Sequence, residues 1–129
     1  MRGYFREVAI PEGAMVMDQG EAADSLLVLC AGLLRVEVSR EGGPAVVVAR
    51  CRPGALVGEI GFYAGGHRTA RVVAEAPSRL LRIDADALAR MARNDPVLLA
   101  DFHGTVAAAL ARRLARTTAL LADADLVTR

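Results

Sequence analysis

A chain of 129 residues with 53% hydrophobic content has the size of one domain and can bury a core without disulfide or metal staples. Charged residues of both signs make up 24% and leave a net charge of +1, which argues against a disordered chain and against a general nucleic-acid binder. All 16 basic residues are Arg, a bias read as genomic base composition rather than function.

Residues 4–10 read as a first strand, and Pro11-Glu12-Gly13 as a turn, because proline presets φ and glycine permits φ > 0. A second strand, 14–18, ends at Gln19-Gly20, and Glu21 to Asp24 lead into the dense apolar run Ser25 to Cys30. From 33 to 39, Leu34, Val36 and Val38 alternate with Leu33, Arg35 and Glu37, the period of a strand with one wet face. Glu41-Gly42-Gly43-Pro44 is a hairpin turn by composition, with 45–51 as the returning strand. A short extended run, 55–57, is followed by a glycine-rich stretch and then by strands at 69–75 and 79–83. Strands recurring about every ten residues between glycine turns predict a mainly β fold, an antiparallel roll or sandwich rather than a parallel sheet.

The composition then switches. Asp84 is placed to cap a helix through Asn94, and Asp95 with Pro96 to start a second one. Leu99, Phe102, Val106, Leu110, Leu114 and Leu121 form a stripe along that second helix. The stripe runs about six turns, longer than packing on the roll needs. It is therefore read as a homodimer contact through the C-terminal helix, against the alternative that it packs on its own roll. Arg112, Arg113 and Arg116 read as a solvated face rather than a direct nucleic-acid contact.

Cys30 and Cys51 lie in apolar strand-like runs and are expected as two buried thiols; with His67 and His103 they have no zinc-ligand spacing. No apolar run reaches the ~18 residues of a membrane span and the N-terminus lacks a signal segment, so a cytoplasmic location is expected.

Gly58-Glu59-Ile60-Gly61 stands where an extended run turns into a short helix, and Arg68-Thr69-Ala70 precedes the next strand. A helix start offers unpaired N–H groups and partial positive charge, and an arginine can close such an anion site from the other side. This stretch resembles the phosphate-binding cassette of the cyclic nucleotide-binding domain family. The spacing Gly13, Gly20, Asp24, Leu26, Gly32 is also similar to the first half of that family's β-roll, where glycines mark the corners. The resemblance implies a jelly-roll-like double-stranded β-helix at 4–83, helices at 84–122 and a tail at 123–129. It implies that Glu59 accepts the ribose 2′-hydroxyl and that Arg68 pairs with the cyclic phosphate. Backbone donors near Ile60, Gly61 and Ala70 would complete the site, with cAMP or cGMP as ligand and no cofactor.

Ala111-Arg112-Arg113-Leu114, followed after two residues by Thr117-Thr118, resembles the corresponding helix of catabolite-activator-type regulators, where a hydroxyl pair reaches the purine amino group. Thr117 and Thr118 then favour adenine, whereas Thr69 in the cassette favours guanine; the adenine nucleotide is preferred two hydroxyls to one. Position 67 is commonly Pro in the family and is His here, which is expected to loosen the turn before Arg68. After Leu121 only eight residues remain, too few for a winged helix. The cassette also resembles domains fused to sulfate-permease-like transporters, the only membrane link expected. The function expected is that of a non-catalytic sensor. The rivals are an orphan β-roll that binds no nucleotide and acts as an interaction module, and a metal-dependent enzyme of the cupin type, disfavoured because His67 and His103 are its only histidines.

Overall fold

Alternation along the chain is converted into two facing sheets. The computed structural model describes residues 3–128, with side chains through residue 122. The strands are β1 (Arg6–Ile10), β2 (Met15–Met17), β3 (Ser25–Ala31), β4 (Leu34–Val38), β5 (Val46–Cys51), β6 (Leu56–Val57), β7 (Arg71–Ala74) and β8 (Ser78–Asp84). One four-stranded sheet has the order β1-β8-β3-β6 and the other β2-β7-β4-β5, and every pairing is antiparallel. A short helix, α1 (Glu59–Ala64), interrupts the roll between β6 and β7.

The two inner faces meet in one core. Leu27, Leu29, Val57 and Leu80 come from the first sheet, and Met17, Leu34, Val72 and Ala74 from the second. Gly32 turns β3 into β4 at φ 106°, where a Cβ would run into Ser78 and the Pro77 carbonyl oxygen, so this corner has room only for glycine.

The thiols depart from expectation. Cys30 is exposed and Cys51 half-buried, and neither forms a disulfide. The β3–β8 register shifts between Leu29 and Ala31. Cys30 sits in that irregularity and turns outward while Leu29 keeps its place in the core. An apolar run in sequence does not reveal such a bulge.

At the end of β8, Asp84 Oδ1 accepts a hydrogen bond from Ala87 N–H at 2.8 Å, the expected N-cap of α2 (Ala85–Asn94). Asp95 N–H closes α2 on the Met91 carbonyl at 2.7 Å, and the Asp95 carbonyl accepts from Leu99 N–H at 3.0 Å to open α3 (Pro96–Thr128). This third helix continues past 122, so residues 123–128, expected as a tail, extend the helix. By internal packing the chain divides at Arg90/Met91. The first unit holds the roll, the cassette and the start of α2; the described part of the second is helical. In the second unit Val106 is buried, whereas Leu114, Leu120 and Leu121 are exposed.

Candidate functional site

The Arg68 guanidinium is the point on which three pieces of backbone converge. β6 ends at Gly58, whose φ of 78° lies in the left-handed region that favours glycine, and α1 starts from that bend. The Gly58 carbonyl accepts the first helical bond, from Phe62 N–H at 3.2 Å, and also a bond from Arg68 Nη1 at 2.9 Å. A Cβ at Gly58 would collide with that same Nη1, so glycine is required there for space as well as for conformation. Arg68 Nη2 donates to Ser25 Oγ at 3.1 Å and lies 3.8 Å from Asp24 Oδ1.

The backbone of Arg68 is held from the other side. Its N–H donates to the Glu21 carbonyl at 2.7 Å, and its carbonyl accepts from Gly20 N–H at 2.9 Å. Ala23 N–H reaches the Gly66 carbonyl at 3.1 Å, and Ala22 and His67 form an isolated antiparallel bridge. The loop between β2 and β3 thus acts as a short strand partner for residues 66–68. His67 does not loosen the turn as expected, because this backbone pairing holds Arg68 without a proline. The imidazole is left exposed.

Burial sets the electrostatics. Arg68 and Glu59 are each only 6% exposed, and Ser25 2%. Burial pulls the Arg68 guanidinium below its ordinary range. Asp24 opposes that shift most, then Glu21 and last Glu59, while the like charge of Arg82 adds to it. A guanidinium stays charged in proteins. The site therefore holds a buried cation hydrogen-bonded to two neutral oxygens, with the 71% exposed Asp24 carboxylate at longer range and Glu21 and Glu59 acting on it through their charge. That is an environment an incoming anion stabilises.

Glu59 opens α1 as a buried carboxylate in its first turn. Gly61 is buried, and a Cβ there would meet Ala23 Cβ and the His67 carbonyl oxygen, each at 2.7 Å. The N–H groups of Ile60 and Gly61 precede the first i→i−4 bond, so neither has an acceptor within the helix. Ile60 projects outward at 58% exposure. Thr69 is exposed, and Ala70 is half-buried just before β7. Gly58, Glu59, Gly61 and Arg68 are thus brought together. Thr117 and Thr118 lie on α3 in the other unit, both exposed, and Thr117 Oγ1 donates to the Arg113 carbonyl at 3.0 Å.

Ser25 and Asp24 were not expected at the site. Asp24 stood out in the sequence only as part of the roll's spacing, and Ser25 only as the polar first residue of an apolar strand, a pattern shared by many strand starts. Among the described residues, no three His, Cys, Asp or Glu side chains cluster so as to hold a metal ion, and no helix is long and apolar enough to cross a membrane.

The family model of the cyclic nucleotide-binding domain matches residues 7–95, a span that runs from β1 through the cassette to the end of α2. The chain belongs to the cyclic nucleotide-binding domain family. The cyclic AMP receptor protein of Thermus thermophilus is 31% identical over 111 residues, covering 86% of this chain and 50% of that protein. The crystal structure of the Thermus thermophilus catabolite activator protein superposes with a TM-score of 0.74 at 30% identity, over 97% of this chain and 55% of that one. A cyclic nucleotide-binding domain from Methylobacillus flagellatus superposes with a TM-score of 0.81 at 25% identity, over 88% of this chain and 64% of that one. The chain spans about half the length of the curated relatives it matches. The jelly-roll with C-terminal helices is thus the architecture of its family.

Proposed function

We propose that this domain is a regulatory sensor that binds a cyclic mononucleotide in the cassette. The observation that carries the reading is the buried Arg68 guanidinium, fixed by Gly58 O and Ser25 Oγ beside the start of α1. Guanidinium and phosphate make charge-assisted hydrogen bonds of matched geometry. The N–H groups at Ile60 and Gly61 supply further donors to the phosphate, with Ala70 beside them, and the Glu59 carboxylate accepts from the ribose 2′-hydroxyl. Thr117 and Thr118 favour cAMP over cGMP, against the pull of Thr69 toward guanine. The receptor named for cyclic AMP among the relatives supports the adenine nucleotide.

The output passes through α2 and α3, and α3 joins two copies as a homodimer through the exposed Leu114 and Leu121. The domain does no chemistry of its own, needs no cofactor, makes no direct contact with nucleic acid, and works in the cytoplasm within a larger regulator or transporter. The thiols at Cys30 and Cys51, free of disulfide, suit that compartment. Titration calorimetry with cAMP and cGMP tests the binding. Wild type is expected to bind cAMP in the micromolar range and the Arg68→Ala variant to lose at least a hundredfold, since breaking a buried charge pair costs about 3–5 kcal/mol. Unchanged affinity in the variant refutes the site.

A further inference from the structure

Asp24 is shared between two arginines. Its Oδ1 lies 3.8 Å from Arg68 Nη2 and its Oδ2 3.6 Å from Arg82 Nη2. Arg82, on β8, also reaches Asp84 Oδ2 through Nη1 at 3.8 Å, and Asp84 is the residue that caps α2. The exposure of the bridging carboxylate contrasts with the burial of Arg68, whose side chain is only 5% exposed, while Arg82 is intermediate at 26%. The two cations are close enough for Arg82 to act on Arg68 as a like charge.

From this bridge, resting on the nucleotide reading above, we propose that Asp24 is a positioning residue that competes with the ligand phosphate for Arg68, and that Arg82 takes it over when the phosphate arrives. Without ligand, Asp24 helps to offset the burial of the Arg68 charge. A phosphate at Arg68 meets this carboxylate as a like charge a few ångströms away, so Asp24 opposes binding for as long as it stays. It is free to leave, because it is solvated and Arg68 keeps the Gly58 and Ser25 bonds that orient it. Arg82 is already within ion-pair distance and needs only a small rotation of the carboxylate to receive it. Arg82 is the second cation beside this carboxylate, so Asp24 is not left unpaired next to the phosphate when it leaves Arg68. Asp84 gives Arg82 a second partner, so occupancy of the cassette is felt at the start of α2.

The test is a double-mutant cycle read by cAMP affinity at low salt, with thermal unfolding recorded for each variant to confirm folding. Asp24→Asn is expected to tighten binding about threefold to tenfold, and Arg82→Gln to weaken it by a similar factor, the range expected for charges this far apart near a surface. In the Asp24→Asn background Arg82→Gln should lose most of its effect, and Arg82→Lys should restore wild-type affinity within about twofold. Arg82→Gln acting equally in both backgrounds makes Arg82 a plain remote charge and overturns the hand-over. Weaker or unchanged binding by Asp24→Asn overturns the competition while the nucleotide reading stands. A wild-type protein that binds no cyclic nucleotide overturns both.

Discussion

Replacing Gly61 by alanine should separate space from conformation in the cassette. Gly61 lies inside α1, so a methyl group there carries no φ penalty and by helix propensity alone should stabilise by up to about 1 kcal/mol. The added Cβ, however, would stand 2.7 Å from both Ala23 Cβ and the His67 carbonyl oxygen. Carbon pairs settle at about 3.5–4.0 Å, so α1 must withdraw by about 1 Å from the loop before β3. Neither obstacle is a flexible side chain. Overpacking of this kind costs about 1–3 kcal/mol, and after the propensity gain a net destabilisation of about 1–2 kcal/mol remains. For a domain of this size that lowers Tm by about 3–10 °C. The carbonyl that must give way belongs to the residue just before Arg68, so cAMP affinity should fall as well. Gly66→Ala is the matched control, because nothing lies within 4 Å of a Cβ there, and it should be neutral or slightly stabilising. Urea and thermal unfolding of the two variants side by side decide the matter, and equal stability of Gly61→Ala and Gly66→Ala would refute the close-approach account.

Three further outcomes are expected. Acid should destabilise the roll: the hydrogen bond from Arg71 holds the Asp18 carboxyl below its ordinary range, and the bond from Arg50 does the same for Glu75. Depressed folded-state values contribute stability above the unfolded-state value of about 4 and lose it as pH falls through the folded one; the decline in Tm below about pH 5 should therefore be shallower in Asp18→Asn and Glu75→Gln, and an unchanged slope would count against these pairs. Ser25→Ala should weaken cAMP binding less than Arg68→Ala does, because Gly58 O still holds Nη1, and calorimetry giving equal losses would show that Ser25 alone positions the arginine. Leu114→Glu with Leu121→Glu should abolish dimerisation in sedimentation velocity without lowering Tm at matched low concentration, and an unchanged oligomeric state would remove α3 as the interface.

Most of the roll was legible because alternation and glycine turns are local properties. The 33–39 alternation and the Glu41 to Pro44 turn are found as β4, β5 and the hairpin between them, with Gly43 N–H on the Arg40 carbonyl at 3.0 Å. The Asp84 cap was legible for the same reason. What local pattern could not reveal was the bulge that turns Cys30 outward, since it depends on the register against β8. The end of α3 was missed in the opposite way. With a stripe read only as far as Leu121, nothing marked the continuation through Thr128.

The cassette divides along the same line. Glu59 and Arg68 could be picked out because their side-chain chemistry is visible in single letters, an acceptor-only carboxylate and a bidentate cation. Their environment is non-local. Arg68 is buried through contacts to Gly58, ten residues back, and to Ser25, forty-three residues back, and its backbone is clamped by Gly20 and Glu21 from yet another turn. The glycines at 58 and 61 are the local trace of that convergence, each standing where a Cβ would strike the arginine or the loop that frames it. A residue chosen for how closely two remote segments approach reads in sequence only as a flexible turn, which is why the ligand-facing groups of such a site are legible before the groups that tune them.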